Sequence, residues 1–513
     1  MKTKTTKLLC FILAALMVLT GSTVLFSACA PAKQEPANSD TSDAAITNAG
    51  DSNGSPDASA EATTEEKYAF TGQNYNGYEV RVLIPDHNDW AMSTIKAVLS
   101  DSGQEEENGD AINDAIYKRN ALVEEGLNVK IKEILVAGPE SKAKKSIQSN
   151  TDDYDIVFTD SSQAGALASA GMYMNLYNVP GLNLDKPYWN QNANKSAELL
   201  GKLYFTTSDA NIITNDGIWL LYFNKKITQD MGLENPYQLV RDGKWTVDKL
   251  YEMAKAAATD IDGDGKFTVK DRWGISTHGL NFLATLECQG EQLVKLNDAG
   301  EPYLINPDDK FVSAFVKAHQ IMDKNNGVFL DAQGTYPGQT ADLNHAKKTF
   351  MADMSLFCAE VLAHARVFRE MTADFGILPL PKYDEFQSNY YTFMIDTIPA
   401  FGIPVTVADP ERTGVFMDAF TAVSSETIIP AYYKVSLEGK FTRDEDSVEM
   451  LDIIRNGRIF DLAVQYNWGG FYSAIIAYGT GKEGTNPVTV FDKNRGKVEA
   501  AIAKTLDAYK NFD

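Results

Sequence analysis

The stretch that most limits what this chain can fold into is Lys202–Lys226, KLYFTTSDANIITNDGIWLLYFNKK. Its run IWLLYF, Ile218–Phe223, shows no polar alternation, the pattern of a strand covered on both faces. Lys202–Thr206 reads as a second, shorter strand. The segment between them, Ser208–Gly217, is small and polar. Together they read as the chain leaving one lobe and entering another, with a ligand cleft between. An ordinary loop inside one α/β domain is the alternative these residues allow.

Length favours two lobes. After an export segment and a tail are set aside, Tyr68–Asp513 is too long for one compact core. The formal net charge of -23 argues against nucleic acid or anionic lipid as a partner. Lys2, Lys4 and Lys7 precede the apolar run Leu8–Leu19, which is short for a membrane span. Leu25-Phe26-Ser27-Ala28-Cys29 resembles a lipoprotein processing site, with Phe26 in place of the usual Leu. Residues 1–29 are therefore expected to be a lipoprotein signal peptide with Cys29 as the lipid-bearing residue. Plain secretion, with cleavage near Ala28 or Ala30, is the alternative. Residues 30–67 contain no aromatic residue before Tyr68 and are rich in small and acidic types, the composition of a disordered tether. A Gly50-Asp51-Ser52-Asn53-Gly54 match lies there without the strand and helix a hydrolase elbow needs.

Tyr78–Pro85 reads as a strand, Gly109–Gly126 as a helix and Leu127–Leu135 as a second strand. Tyr154–Asp160 reads as a third strand, and the small-residue run Ser161–Met174 turns helical after it. Polar groups at the carboxyl end of such a strand mark a ligand site; simple helix capping by Asp160 is the other reading. Thr246 is a candidate N-cap for a helix to Ala258, with Trp245 and Leu250 as its hydrophobic staple. Farther on, Phe311–Met322, His345–Met351, Leu356–Glu370, Val415–Ser425, Ser447–Asn456 and Lys497–Tyr509 have helical spacing. Asp374–Pro379 and Phe401–Val407 read as strands. Cys288 and Cys358 are left after export, as a disulfide or as two buried thiols.

The sharpest motif is Asp260–Asp271, DIDGDGKFTVKD. It has EF-hand spacing: Asp260, Asp262 and Asp264 at positions 1, 3 and 5, Gly265 at 6, the Lys266 carbonyl at 7, Thr268 at 9 and Asp271 at 12. A hard cation needs several oxygens converging from a short loop, so a structural calcium ion is expected. Asp at position 12 reaches less far than the usual Glu. No helix pattern follows, which argues against a helix-opening switch. An acidic turn without metal is the alternative.

No zinc motif, P-loop or dinucleotide fingerprint is present, and no carboxylate pair stands out as catalytic. Trp90, Trp189, Trp219, Trp273, Tyr391 and Trp468 lie in or beside polar segments. Flat rings next to polar groups suit a sugar, although core packing accounts for any one of them alone.

Several landmarks recur in order: Asn113-Asp114-Ala115-Ile116-Tyr117-Lys118-Arg119-Asn120, Tyr154–Asp160 before its helix, Gly201–Phe205, Tyr222-Phe223-Asn224-Lys225 and Asp374–Pro379. From about Tyr78 onward the chain resembles bacterial extracellular solute-binding proteins of ABC importers, the maltodextrin-binding-like group. The resemblance implies an α/β, two-lobed, periplasmic-binding-protein-like fold of type II, its lobes joined by crossing hinge segments around a cleft. By position, crossings fall near Ser208–Asn215, Cys358–Leu362 and Ala422–Ser425. The implied division is residues 68–208 in lobe 1, 209–360 in lobe 2 with the loop 260–271, 361–423 in lobe 1, and 424–513 in lobe 2 with C-terminal helices. The implied cleft residues are Trp90, Asp160, Ser161, Ser162, Asn215, Trp219, Glu360, Tyr391 and Trp468. Rings would stack on sugar faces; Asp160, Asn215 and Glu360 would bond hydroxyls. The expected protein is a monomeric, lipid-anchored binder, not an enzyme, on the outer face of the membrane. It would pass a sugar to ABC permease subunits. A secreted carbohydrate-active enzyme and a surface sensor or scaffold are the alternatives.

Overall fold

A computed structural model describes residues 67–86, 111–330, 345–437, 445–481 and 486–512. The strands, in chain order, begin with β1 (Tyr78–Pro85), β2 (Val129–Val136), β3 (Ile156–Asp160), β4 (Trp219–Asn224) and β5 (Trp273–Thr277). They continue with β6 (Val294–Leu296), β7 (Pro302–Leu304), β8 (Val328–Leu330), β9 (Ser355–Val361) and β10 (Phe375–Leu378). The last three are β11 (Thr392–Phe393), β12 (Pro399–Gly402) and β13 (Arg458–Ile459). Among the described residues, two sheets carry the fold, in orders β12-β3-β1-β2 and β10-β4-β9-β5-β8.

The first sheet is parallel through β2, β1 and β3, and β12 closes it antiparallel against β3. The alternating helices and strands at its start force that arrangement, because a parallel pair needs a crossover helix. Helix Ala111–Leu127 supplies one crossover and buries Ile112, Ala115, Ile116, Val123 and Leu127. Leu122, expected on the same face, is exposed. Asp155, buried just before β3, ties β1 to β3. Its carboxylate accepts from the Arg81 backbone N–H at 2.8 Å and Nε–H at 2.9 Å, and from the Tyr78 hydroxyl.

In the second sheet β5 runs parallel to β8 and β9, while β4 is antiparallel to both β9 and β10. Every residue of β4 is buried, which is why its sequence shows no alternation. Helix Val247–Ala257 leads toward β5, and the Thr246 hydroxyl caps it by accepting from the Lys249 N–H at 3.2 Å. Among the described residues, no helix is long and apolar enough to cross a membrane.

The chain passes from the first sheet to the second between Thr206, bridged to Phe401, and Ile218, bridged to Met394. Lys202–Thr206 is not the strand expected there; it makes single bridges at Lys202 and Thr206 only. Leu356–Glu370, expected to be helical, is instead β9 followed by short helical turns at Leu362–His364 and Ala365–Phe368. Helical spacing lost here to the ladders that β4 and β5 offer on either side, and burial on both faces of a sheet decided for strand.

That difference moves the return crossing. The expected crossing at Cys358–Leu362 falls inside β9 and just after it, and β10 still pairs with β4. The chain regains the first sheet only between Leu378 and Pro399, so residues 361–378 belong with the second lobe. Ala422–Ser425 lies within the long helix Pro410–Leu437. That helix packs on Ala111–Leu127, where the Arg119 guanidinium sits 3.8 Å from the Phe420 ring centre. The next helix, Glu445–Asn456, reaches β10 through Ser447, whose hydroxyl accepts from the Ile377 N–H at 3.3 Å. The architecture is α/β and two-lobed.

Candidate functional site

The carboxyl ends of parallel strands are where an open α/β sheet leaves room for a ligand, because helices cover the faces and loops fan out beyond the ends. In the first sheet, β3 ends at Asp160. Its register partner is Pro399, at the start of antiparallel β12, so the two strands place Asp160 and the preceding residue Asp396 at one edge. The Ser161 N–H donates to the Ile398 carbonyl at 2.9 Å, and its hydroxyl donates to the Asp396 carbonyl at 2.9 Å. Asp160 occupies the N-cap position of helix Ser161–Ser169 yet its side chain makes no capping hydrogen bond. Burial first, then the charges of Asp396 and Glu140, push its carboxyl up to about 6. Ser162 is half-buried in the first turn of that helix.

In the second sheet the matching ends are Thr277 of β5, followed by His278, and Glu360 near the end of β9. Glu360 is buried, with His364 Nδ1 at 3.1 Å from its Oε2, close enough for an ion pair but not aligned as a hydrogen bond. The Lys347 ammonium lies 3.0 Å from the other ring nitrogen. Burial pushes the Glu360 carboxyl up, but His364, Lys347 and His278 outweigh it, and the group sits below its ordinary value. Trp219, at the start of β4, is buried and donates its indole N–H to Asn281 Oδ1 at 3.0 Å.

Asn215 lies in the first crossing segment, fully buried, and among the described residues neither side-chain atom has a hydrogen-bond partner. A buried amide is costly to leave unbonded, so this group is poised to bond something else. Next to it, Asp216 accepts from Arg366 at 3.0 Å and 2.8 Å and from the Tyr432 hydroxyl. That contact joins the first crossing segment, the turn after β9 and helix Pro410–Leu437.

Not all the residues expected to line a cleft come together. Asp160, Ser161, Ser162, Asn215, Trp219 and Glu360 lie at strand ends or in the first crossing segment. Trp468 does not offer a ring face: it is buried, stacked on Tyr466 with centroids 4.7 Å apart, and its indole N–H donates to Thr505. Tyr391 lines a separate groove of about 590 Å³ with Asn192, Asn389, Asn456 and Gly457. Trp90 and Cys29 lie outside the described residues. Sequence reasoning missed Asp396, Tyr472 and Glu287. Tyr472 lies beside Asp396, and Glu287 is fully buried with neither carboxylate oxygen hydrogen-bonded among the described residues. Acidic types are so common in this chain that no pattern set these two apart.

The loop after helix Val247–Ala257 is folded around its own carboxylates. Asp260 accepts from the Gly263 and Gly265 N–H groups at 2.7 Å and 2.8 Å, and Asp264 accepts from Lys266 N–H at 2.7 Å. Asp271 accepts from Ile261 N–H at 2.9 Å and from Thr268 N–H at 2.6 Å. Burial raises the Asp271 carboxyl, but these bonds outweigh it and leave it below its ordinary value. Asp260, Asp262 and Asp264 each bring a carboxylate oxygen within 4.8 Å of the others. Gly263 and Gly265, at φ 71° and 77°, make the bends that aim them. The donor set suits a hard cation. The Thr268 carbonyl is bonded by the Trp273 indole at 3.0 Å, which fastens the loop to β5. Cys288 and Cys358 are buried and not bonded to each other; the Cys288 thiol donates to the Pro381 carbonyl at 3.0 Å.

Comparison with solved structures returns the same architecture. An ABC substrate-binding protein from Listeria monocytogenes in complex with cycloalternan is 12% identical. The match covers 83% of this chain and 99% of that one, with TM-score 0.52. A cyclo/maltodextrin-binding protein complexed with maltotetraose is 14% identical over 84% and 96%, TM-score 0.52. A solute-binding protein from Thermotoga lettingae bound with alpha-D-tagatose is 11% identical over 84% and 100%, TM-score 0.51. No curated protein sequence matches the chain. The family model described as bacterial extracellular solute-binding protein matches residues 102–287, a span that runs from helix Ala111–Leu127 through β5 to Glu287. Over that span the chain is similar to the bacterial extracellular solute-binding proteins, and over more than four-fifths of its length it shares the two-lobed fold of these solved structures.

Proposed function

We propose that this protein captures a carbohydrate between its lobes and hands it unchanged to ABC permease subunits. The observation that carries this reading is the pair of sheets joined by crossing segments, with unbonded Asn215 in one crossing and uncapped Asp160 at a strand end. Hydroxyl groups of a sugar suit both, since a carboxylate accepts and an amide does either. Three relatives in fold were captured with cycloalternan, maltotetraose and tagatose, which supports the sugar class. The binder is a monomer held at the outer face of the cell membrane through a lipid on Cys29 after removal of residues 1–29. It performs no chemistry: lobe closure is driven by the ligand's preference for the closed state.

The acidic loop takes a structural calcium ion, held by Asp260, Asp262, Asp264, the Lys266 carbonyl, Thr268 and Asp271. Calcium there would neutralise clustered carboxylates and stiffen the entry to β5.

Calorimetry against a panel of mono- and oligosaccharides tests the solute. Binding of at least one sugar, weakened about tenfold or more by Asn215→Ala (about 1.4 kcal/mol), is the expected result. A panel in which only amino acids or peptides bind overturns it. Product release from an oligosaccharide on long incubation would instead favour an enzyme.

A further inference from the structure

Tyr391 stands apart from the residues at the strand ends and in the first crossing segment. The groove it lines holds about 590 Å³, within the range of about 300–1,000 Å³ that small-molecule sites occupy. Three stretches far apart in sequence build it. Helix Gln191–Ala197 brings Asn192, Lys195 and Ser196, and the connector between β10 and β11 brings Ser388 to Tyr391. The end of helix Glu445–Asn456 and the turn after it bring Ile453, Asn456 and Gly457. The first helix belongs with the first sheet, since Asn194 Oδ1 accepts from the Thr206 hydroxyl and Thr206 bridges to Phe401 of β12. The last reaches β10 of the second sheet through Ser447. The groove therefore lies where segments of both lobes meet.

Its walls are tied to one another. The Thr392 N–H donates to the Gly457 carbonyl at 2.8 Å, and β11 pairs with β13 just beyond. The Asn192 amide donates to the Asn456 and Arg458 carbonyls at 3.4 Å and 3.2 Å. A Cβ at Gly457 would stand 2.3 Å from the Tyr390 carbonyl oxygen, so only glycine permits that approach. The Tyr390 hydroxyl donates to the Val240 carbonyl at 3.0 Å. Tyr391 is half-buried beside Gly290, where a Cβ would touch its ring at 3.5 Å. A wall held in this way loses little freedom when a ligand arrives.

In a chain of net charge -23, the lining of this groove holds no carboxylate. The groove beside Phe386, by contrast, is lined by Glu234, Asp248, Glu252, Asp384 and Glu385. A cationic ligand would meet Lys195 here and no acid to balance it. What the groove offers is the Tyr391 ring, the amides of Asn389 and Asn456, and the hydroxyls of Ser196 and Ser388. Among the described residues, the Tyr391 hydroxyl and these four side chains take part in no hydrogen bond. The ring supplies an apolar face, while amides and hydroxyls both donate and accept. A neutral sugar presents the matching mixture of C–H faces and hydroxyl edges.

We propose that this groove is a second carbohydrate site, outside the cleft, where a neutral oligosaccharide lays one ring on Tyr391 and bonds Asn389 and Asn456. The inference takes its ligand class from the carbohydrate reading and goes beyond it in location. Because the walls are already joined, the groove takes sugar without lobe closure. It encloses less of the ligand than a closing cleft, so it is the weaker of the two sites.

The test is calorimetry and equilibrium dialysis of the purified protein with maltotriose, cellotriose and xylotriose. At least one of them should fill two sites per chain. Tyr391→Ala should weaken the second site about tenfold or more and leave the first within about twofold. Tyr391→Phe, which keeps the ring, should stay within about threefold of the unaltered protein. Asn389→Ala, at an exposed side chain, serves if Tyr391→Ala does not fold, and should weaken the same site about fivefold. Asn215→Ala should act on the first site alone. One site per chain that responds to Asn215→Ala and ignores the groove variants overturns the inference and leaves the carbohydrate reading standing. One site that responds to the groove variants and ignores Asn215→Ala keeps the groove and removes the cleft from that reading. If no sugar binds, both fall.

Discussion

Asp160 stands where a helix cap belongs and does not cap, and this one residue separates what composition says from what position does. Its carboxyl is pushed up to about 6 by burial, Asp396 and Glu140. A folded-state pKa above the unfolded one means the neutral form is favoured by folding. The stability this contributes is complete below the unfolded value near 3.8 and is lost as pH rises through about 6. Asp160→Asn, which stays neutral, should therefore stabilise the protein by about 2 kcal/mol at pH 7.5 and by almost nothing at pH 4. Denaturant melts at the two pH values measure it, and equal shifts at both would refute the assignment. Glu360 behaves in the opposite sense because His364, Lys347 and His278 face it. Both are acidic residues near strand ends in the sequence. Only their neighbours, drawn from segments far along the chain, give them different properties.

At the scale of elements, local chemistry was readable where it is local. The spacing of Asp260–Asp271 specifies its own bends and its own backbone acceptors, so the loop could be read in one pass. The calcium proposed for it should appear as about one ion per chain by metal analysis and vanish in the Asp262→Ala, Asp264→Ala variant. Calcium at a hundredfold excess over its Kd should add about 2 to 3 kcal/mol of stability to the unaltered protein. Equal metal content in both proteins would end the proposal. The strands β1 and β4 were likewise legible, one bounded by Pro85 and the other unbroken in its apolarity. Ser355–Val361 was not. Its spacing reads as helical, yet it became β9 because β4 and β5 offer ladders on either side. Lys202–Thr206 failed in reverse: an aromatic run without a partner strand along its length stays a connector.

At the scale of the whole molecule, Asp216 fastens three pieces that meet at the hinge. Arg366 is buried with it, and Tyr432 completes the contact. Arg366→Met leaves a buried carboxylate without its cation and should cost about 3 kcal/mol or more. The double change Asp216→Asn, Arg366→Met should recover much of that loss in urea melts. If the single change costs no more than the double, the pair is not what holds the hinge. The sequence alone determined that the chain builds α/β lobes too large for one core, that β4 lies deep in a sheet, and that an acidic loop precedes β5. Those features follow from length, apolar runs and spacing within a dozen residues. Tertiary structure alone decided where the chain returns to the first lobe, that Trp468 turns inward onto Tyr466, and that the Asp396 segment meets Ser161 beside Asp160. Each of those depends on contacts between segments tens to hundreds of residues apart, and no local pattern encodes which distant partner a side chain will meet.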